Sequence, residues 1–210
     1  ALGRSEHVDE VHVAPGNGGT STIATNVPIE AEDISGLVDY ADREGVDLVV
    51  VGPELPLAHG LVDALQERGV RAFGPTRKAA MIEASKAFSK EFMRNAGIPT
   101  AEFAVFEDAE AALSYVERHG APLVVKASGL AGGKGAIVCR TEEEARNAVE
   151  MLMRARSLGT AGETVVIEEC LAGQEVTVLA FADGQMAVPM VAAQDHKAAY
   201  DGDRGPNTGG

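Results

Sequence analysis

Three short apolar runs, residues 11–14, 47–51 and 70–73, each end in a glycine-bearing turn, and a helical pattern lies between successive runs. The turns read Pro15-Gly16-Asn17-Gly18-Gly19, Gly52-Pro53-Glu54 and Gly74-Pro75. Between the first two runs, Asp33 is suited to cap a helix carrying Ile34, Leu37, Val38 and Ala41 on one face, with Gly45 closing it. Leu57, Leu61 and Leu65 mark a second helix, with Gly69 after it. Strands separated by helices in this way are joined side by side in parallel, with helices covering the sheet. Residues 47–51, Asp-Leu-Val-Val-Val, are apolar without alternation, which predicts a strand buried on both faces. Open parallel sheets bind ligands beyond the carboxyl ends of their strands. Here those ends are APGNGG, GPE and FGP, which are also ordinary loop punctuation. In a sheet of the common 2-1-3-4 order the first strand is interior, and no strand precedes residue 11. A start without Met and a stop inside a loop, at PNTGG, add to the expectation of a fragment.

The second half has a different style. Residues 76–96 predict helix in two pieces, broken at Gly97-Ile98-Pro99. A strand at 102–106 precedes a helix that Asp108 opens and Gly120 closes, with Ala112, Leu113 and Val116 on its apolar face. Strands at 122–127 and 136–139 flank a glycine loop. Thr141 and Glu144 form a capping-box pattern ahead of Ala145, Ala148, Val149 and Leu152. A strand at 164–169 follows, and residues 175–182 and 186–190 flank Asp183-Gly184, a strong hairpin signal. This is an α+β pattern with antiparallel hairpins. Aromatics are only 4% of the chain and Trp is absent, so the core must be aliphatic. The formal charge of −14 does not invite nucleic acid or an anionic membrane surface, and neither is expected as a partner. Cys139 and Cys170 form no CxxC or secreted disulfide pattern and read as reduced thiols of a cytoplasmic protein.

The loop KASGLAGGKG, residues 126–135, carries the chemistry. It is not a Walker A loop: Ser128 stands where that motif needs its first Gly, and Gly135 where it needs Ser or Thr. Nor is it a GxGxxG turn opening a helix. It joins two strands as a flap whose backbone N–H groups could close over a triphosphate, with Lys126 reaching a phosphate oxygen. A glycine-rich hairpin with a surface lysine fits the same residues equally well. Two further stretches bear on the choice: VIEECLAGQEVTV, residues 166–178, and Ser85-Lys86-Ala87-Phe88. Together, and in this order, the three resemble the ATP-grasp superfamily. That resemblance implies that Lys86 and Lys126 meet the triphosphate beneath Gly129, Gly132, Gly133 and Gly135. It implies that Glu168, Glu169 and the main chain near Leu171 read the adenine edge, and that Glu175 holds the ribose. Carboxylates and amides at a strand end can satisfy adenine's donor and acceptor.

Six stretches narrow the resemblance: VAPGNGGT (13–20), VGPELPLAHG (51–60), FGPTRKAAMIEASKAFSKEFM (73–93), IPTAEF (98–103), VVKASGLAGGKGAIV (124–138) and QDHKAAYDGDRGPNTGG (194–210). They run the length of the chain and resemble the glycinamide ribonucleotide synthetase family, the phosphoribosylamine–glycine ligases of purine synthesis. The resemblance implies an α/β fold: an N-terminal parallel-sheet, Rossmann-like pre-ATP-grasp domain over residues 1–75, a helical connector over 76–97, and an α+β ATP-grasp domain over 98–210, truncated. It implies ATP-dependent joining of glycine to phosphoribosylamine through glycyl phosphate, in a protein monomeric at full length. Asp195, His196 and Lys197 would line the acceptor side, with His196 either a general base or a hydrogen-bonding group. Asn207, Thr208, Gly209 and Gly210 would form a substrate loop, and Gly16, Asn17 and Glu54 would face phosphoribosylamine.

Three departures from the family accompany this. The family's opening strand and GGREHA-type loop are not in this sequence. Its Mg²⁺ ligands, a glutamate and an asparagine, come after PNTGG, so none of these residues is expected to bind metal and the chain by itself is expected to be inactive. Ala198 follows QDHK where the family usually has Arg. The rivals are another ATP-grasp carboxylase or ligase of purine metabolism, which would not account for QDHK and PNTGG, and a non-catalytic ATP-binding module. A Rossmann dehydrogenase would need a GxGxxG that opens a helix.

Overall fold

The computed structural model describes residues 2–196, 198–202 and 204–207. The chain divides into two compact units, Ala1–Ser89 and Lys90–Gly210.

The first unit contains strands β1 (His12–Val13), β2 (Thr25–Asn26), β3 (Val49–Val50) and β4 (Ala72–Phe73). Its helices are α1 (Ile34–Arg43), α2 (Glu54–His59), α3 (Leu61–Glu67) and α4 (Arg77–Ala84), and it includes the first turn of α5 (Lys86–Ala96). Asp33 caps α1 as expected, its carboxylate accepting from the Gly36 N–H at 2.9 Å. The strands pair in parallel, β1 with β2 and β3 with β4, as two separate two-stranded ladders. Val51, Leu61, Val62 and Leu65 pack against Val38 and Ala41 of α1 to form the core.

Three local expectations change. The strand at 47–51 is not buried on both faces. Val49 and Val51 turn toward the core, while Leu48 and Val50 are about half exposed, because no described element of this unit covers their face. The helix marked by Leu57, Leu61 and Leu65 is two helices. Gly60 adopts φ +89°, a left-handed conformation that ends α2 before α3 begins. Strand β2, two residues long, pairs with β1 and carries no periodic signal.

The second unit begins within α5. It continues with β5 (Phe103–Phe106), α6 (Ala109–His119), β6 (Leu123–Ala127), β7 (Ala136–Cys139), α7 (Glu142–Val149) and β8 (Val165–Glu169). Strands β9 (Ala180–Ala182), β10 (Ala187–Pro189), β11 (Ala198–Tyr200) and β12 (Arg204–Asn207) complete it. β5, β8, β6 and β7, in that order, form an antiparallel sheet. One face packs on α6 and α7: Val125 and Ile167 of the sheet meet Leu113, Val116, Ala148 and Val149 of the helices. Apolar burial of this kind dominates the stability of such a layer. Burial also raises the pKa of the Cys139 thiol, which lies in this core.

The capping box forms in full. The Thr141 hydroxyl accepts from the Glu144 N–H at 3.2 Å, and the Glu144 carboxylate accepts from the Thr141 N–H at 3.2 Å. Thr141→Ala is therefore expected to cost about 1 kcal/mol, read as a lower denaturation midpoint at an unchanged slope. After α7 the helix widens into a π-helical stretch, Glu150–Arg154, that keeps Leu152 in the core. The Asp183-Gly184 hairpin is present, but β9 and β10 are three residues each, with an isolated bridge between Thr177 and Ala193 beyond them. The Asp183 carboxylate accepts from the N–H groups of Gln185 and Met186, which holds its pKa below the ordinary value. Among the described residues no helix is long and apolar enough to cross a membrane.

Candidate functional site

Strand β8 has two faces of opposite character. Alternate residues of a strand point to opposite sides. Val165 and Ile167 enter the core, so Glu168 points to the far face. Register then decides its neighbours. Glu168 pairs with Phe103 of β5 on one side and with Val124 of β6 on the other. Lys126 sits opposite Val166, which puts it diagonal to Glu168 on the same face, within reach of a long side chain.

The result is a cluster of two lysines around one buried carboxylate. Lys126 Nζ is ion-paired with Glu168 Oε1. Lys90, from α5, approaches Glu168 Oε2 at 2.5 Å. Lys90 also donates to Thr100 Oγ1 at 2.8 Å and to the Ala101 carbonyl at 3.5 Å, and lies 5.6 Å from the centre of the Phe103 ring. Glu168 is 5% exposed and Lys90 9%, whereas the Lys126 side chain is 27% exposed. Lys90 meets Oε2 as an ion pair off the hydrogen-bond direction. Oε2 is thus, among the described residues, the buried side-chain polar atom without an aligned donor. Buried acceptors are ordinarily satisfied, and here the Lys90 ammonium supplies the counter-charge at 2.5 Å.

Beside the cluster, the glycine loop joins β6 to β7 as an antiparallel hairpin. Its glycines do different things. Gly129 donates its N–H to the Ala161 carbonyl at 3.0 Å, and a Cβ there would come within 2.7 Å of Ala161 Cα. A Cβ on Gly135 would come within 2.8 Å of the Ala131 side chain. These two positions are glycine because the backbone is crowded. Gly132 and Gly133, with φ +54° and +77°, have open space around them and form the left-handed tip. Successive N–H groups in such a conformation can make an anion-binding concavity.

The remaining candidates lie on other parts of the chain. Glu169 spends its carboxylate on the Glu102 N–H, at 3.0 Å. Leu171 and Glu175 are exposed in the segment after β8. Asp195 and His196 precede β11, whose Ala198 pairs with Asn207 of β12 across one ribbon. Lys197, Thr208, Gly209 and Gly210 lie outside the described residues. Lys86 opens α5, in the first unit. In that unit too, Glu54 is the first residue of α2, and Gly16 and Asn17 lie in the loop after β1. Asn17 builds that loop: its side-chain oxygen accepts from the N–H groups of Gly19 and Thr20, at 2.8 and 3.0 Å.

Comparison with known proteins agrees across both units. The model of the phosphoribosylglycinamide synthetase N domain matches residues 1–83, and that of the phosphoribosylglycinamide synthetase ATP-grasp (A) domain matches residues 84–210. The chain belongs to the phosphoribosylglycinamide synthetase family. The phosphoribosylamine–glycine ligase of Nostoc sp. is 53% identical over 99% of this chain and 49% of its own length. The crystal structure of phosphoribosylamine–glycine ligase from Thermotoga maritima superposes with a TM-score of 0.76 at 33% identity, covering 99% of this chain and 49% of that one. The chain thus spans about half the length of the curated relatives it matches. A further likeness is to the biotin carboxylase domain of Hydrogenobacter thermophilus 2-oxoglutarate carboxylase, solved with magnesium ADP, ADP and bicarbonate. It has a TM-score of 0.59 and 26% identity over 70% of this chain and 34% of that one.

Two residues of this synthetase-family chain were given no role from sequence. Lys90 lies within residues 73–93, but a lysine on a helix reads as solvated. The signal that could have found it is its spacing from Lys86. Two cations four residues apart repel on a helix unless an anion takes one of them. Asn26 carried no signal. It donates to the Asn17 carbonyl at 2.8 Å and accepts from Thr20 Oγ1 at 2.7 Å, and a Cβ on Gly16 would run into it. In the same unit, His12 bonds Tyr40 at 2.8 Å through Nδ1 and Glu10 at 3.2 Å through Nε2.

Proposed function

We propose that the protein carrying this chain joins glycine to 5-phosphoribosylamine at the expense of ATP, giving glycinamide ribonucleotide, ADP and phosphate, in the cytoplasm and as a monomer. The observation that carries the nucleotide part is the buried Glu168 carboxylate, ion-paired with Lys90 and with the partly exposed Lys126, next to a glycine hairpin. Adenine's exocyclic amine is a donor suited to Glu168. The main chain near Leu171 then meets the rest of the adenine edge, with Glu169 as a backbone anchor, and Glu175 takes the ribose hydroxyls.

In this reading a glycine carboxylate oxygen attacks the γ-phosphorus. The bond to the β–γ bridging oxygen breaks, ADP leaves, and glycyl phosphate forms. The amine of phosphoribosylamine then attacks the acyl carbon, phosphate departs, and the amine proton is lost. Negative charge builds on the transferring phosphoryl oxygens. Lys126, Lys86 and the amides at the Gly132–Gly133 tip stabilise it, in a mechanism that rests on positioning and electrostatics. Asp195, His196 and Lys197 orient the acceptor, Asn207 to Gly210 hold substrate beside the phosphates, and Gly16, Asn17 and Glu54 face phosphoribosylamine. The Mg²⁺ that accompanies ATP in such reactions finds no cluster of His, Cys, Asp or Glu among the described residues. The likeness of both units to phosphoribosylamine–glycine ligases supports this acceptor pair over bicarbonate.

The test is isotopic. Glycine labelled with ¹⁸O in its carboxylate is supplied to the full reading frame, and the released phosphate is weighed. Attack by the carboxylate transfers one labelled oxygen to phosphate. Unlabelled phosphate, with product formed, would refute the glycyl phosphate route.

A further inference from the structure

We propose that Lys90 is a positioning residue for the nucleotide site, holding Glu168 so that Lys126 can leave it for a phosphate. This rests on the nucleotide reading of the β6–β8 face. The two lysines differ in what surrounds them. Three polar partners enclose the Lys90 ammonium, namely Glu168 Oε2, Thr100 Oγ1 and the Ala101 carbonyl, and its side chain is 11% exposed. Hemmed in by a carboxylate, a hydroxyl and a carbonyl and almost closed to solvent, the Lys90 ammonium is poorly placed to turn to a ligand. Lys126 has Glu168 as its ion-pair partner and keeps a side chain 27% exposed. Lys90 is therefore the fixed cation and Lys126 the exchangeable one.

The arrangement answers an electrostatic difficulty. A buried carboxylate with a single lysine would lose its counter-charge whenever that lysine turned to phosphate. A buried charge left unpaired is strongly unfavourable. Binding of the nucleotide would then have to overcome that loss. With Lys90 in place, Glu168 keeps a counter-charge and its orientation through both states of Lys126. The same contact ties α5 to the Thr100–Ala101 segment ahead of β5, and Phe103 of β5 pairs with Glu168. Lys90 thus fixes the direction of Glu168 as well as its charge.

The experiment uses the full reading frame and measures dissociation constants for ATP and GTP together with thermal melting. Lys90→Met is expected to weaken ATP binding by about tenfold or more and to narrow the preference for ATP over GTP. Lys90→Arg, which retains the charge, is expected to recover most of both. A lower melting temperature with ATP affinity and preference unchanged would make Lys90 a structural strut and overturn the proposal. If Lys90→Met does not fold, the comparison passes to Glu168→Gln and the double variant Lys90→Met/Glu168→Gln. With the carboxylate neutralised Lys90 has no charge to hold, so the two are expected to bind ATP equally. A further tenfold loss in the double variant would overturn the proposal. Absence of ATP binding by the unaltered protein would instead remove the nucleotide reading itself.

Discussion

Lys126→Met, made in the full reading frame, is expected to lower glycine-dependent ADP formation by about 10²- to 10³-fold, the usual consequence of removing one preorganised group from a developing charge. The geometry explains why the loss falls on chemistry more than on the fold. Lys126 is the last residue but one of β6, beside the glycine hairpin, and its side chain is partly open to solvent. Its partner Glu168 does not become an isolated buried anion when Lys126 is removed, because Lys90 remains at 2.5 Å. The methionine stem keeps the apolar packing of the lysine while deleting the charge. Melting within a few degrees of the unaltered protein is therefore the expected companion result. Activity within tenfold of the original would mean that Lys126 does not face the transferring phosphoryl group.

Ile167→Ala is expected to do the reverse. Ile167 is fully buried at the centre of the sheet, between β5 and β6, on the face packed against α6 and α7. Truncating such a side chain removes its transfer free energy and leaves a cavity, at a cost of about 2–5 kcal/mol. The neighbouring residue, Glu168, projects from the opposite face, where it meets Lys90 and Lys126. ATP affinity of the folded protein is thus expected to stay within about twofold, since strand β8 keeps its ladders on both sides. Denaturant unfolding gives the first quantity and calorimetric titration of the folded protein the second. A large loss of ATP affinity with little loss of stability would show that the two faces of β8 are not divided as described.

What could be read in the sequence follows from where each signal resides. Local signals were legible. Asp33 and Thr141 cap the helices they were expected to cap, and β7 spans the residues expected for it. The ion pair of Lys126 with Glu168 was not legible, because it depends on β6 pairing with β8 across 42 residues; resemblance assigned the two to different parts of the nucleotide. Lys90 was not legible, since nothing local distinguishes a buried lysine from a solvated one until its carboxylate is known. The exposure of Val50 was hidden for a related reason. An unbroken apolar run tells that a strand could be covered twice, not that both covers are present. Strands of two residues, such as β2, are too short for any periodicity to register.

The central claim is that ATP is split to activate glycine for the amine. The most direct measurement is ADP formation by the full reading frame, with glycine and phosphoribosylamine each supplied or withheld. The account predicts sustained ADP formation that requires both and matches glycinamide ribonucleotide one for one. ADP formation indifferent to glycine, or ATP bound firmly with no turnover in the complete mixture, would contradict it.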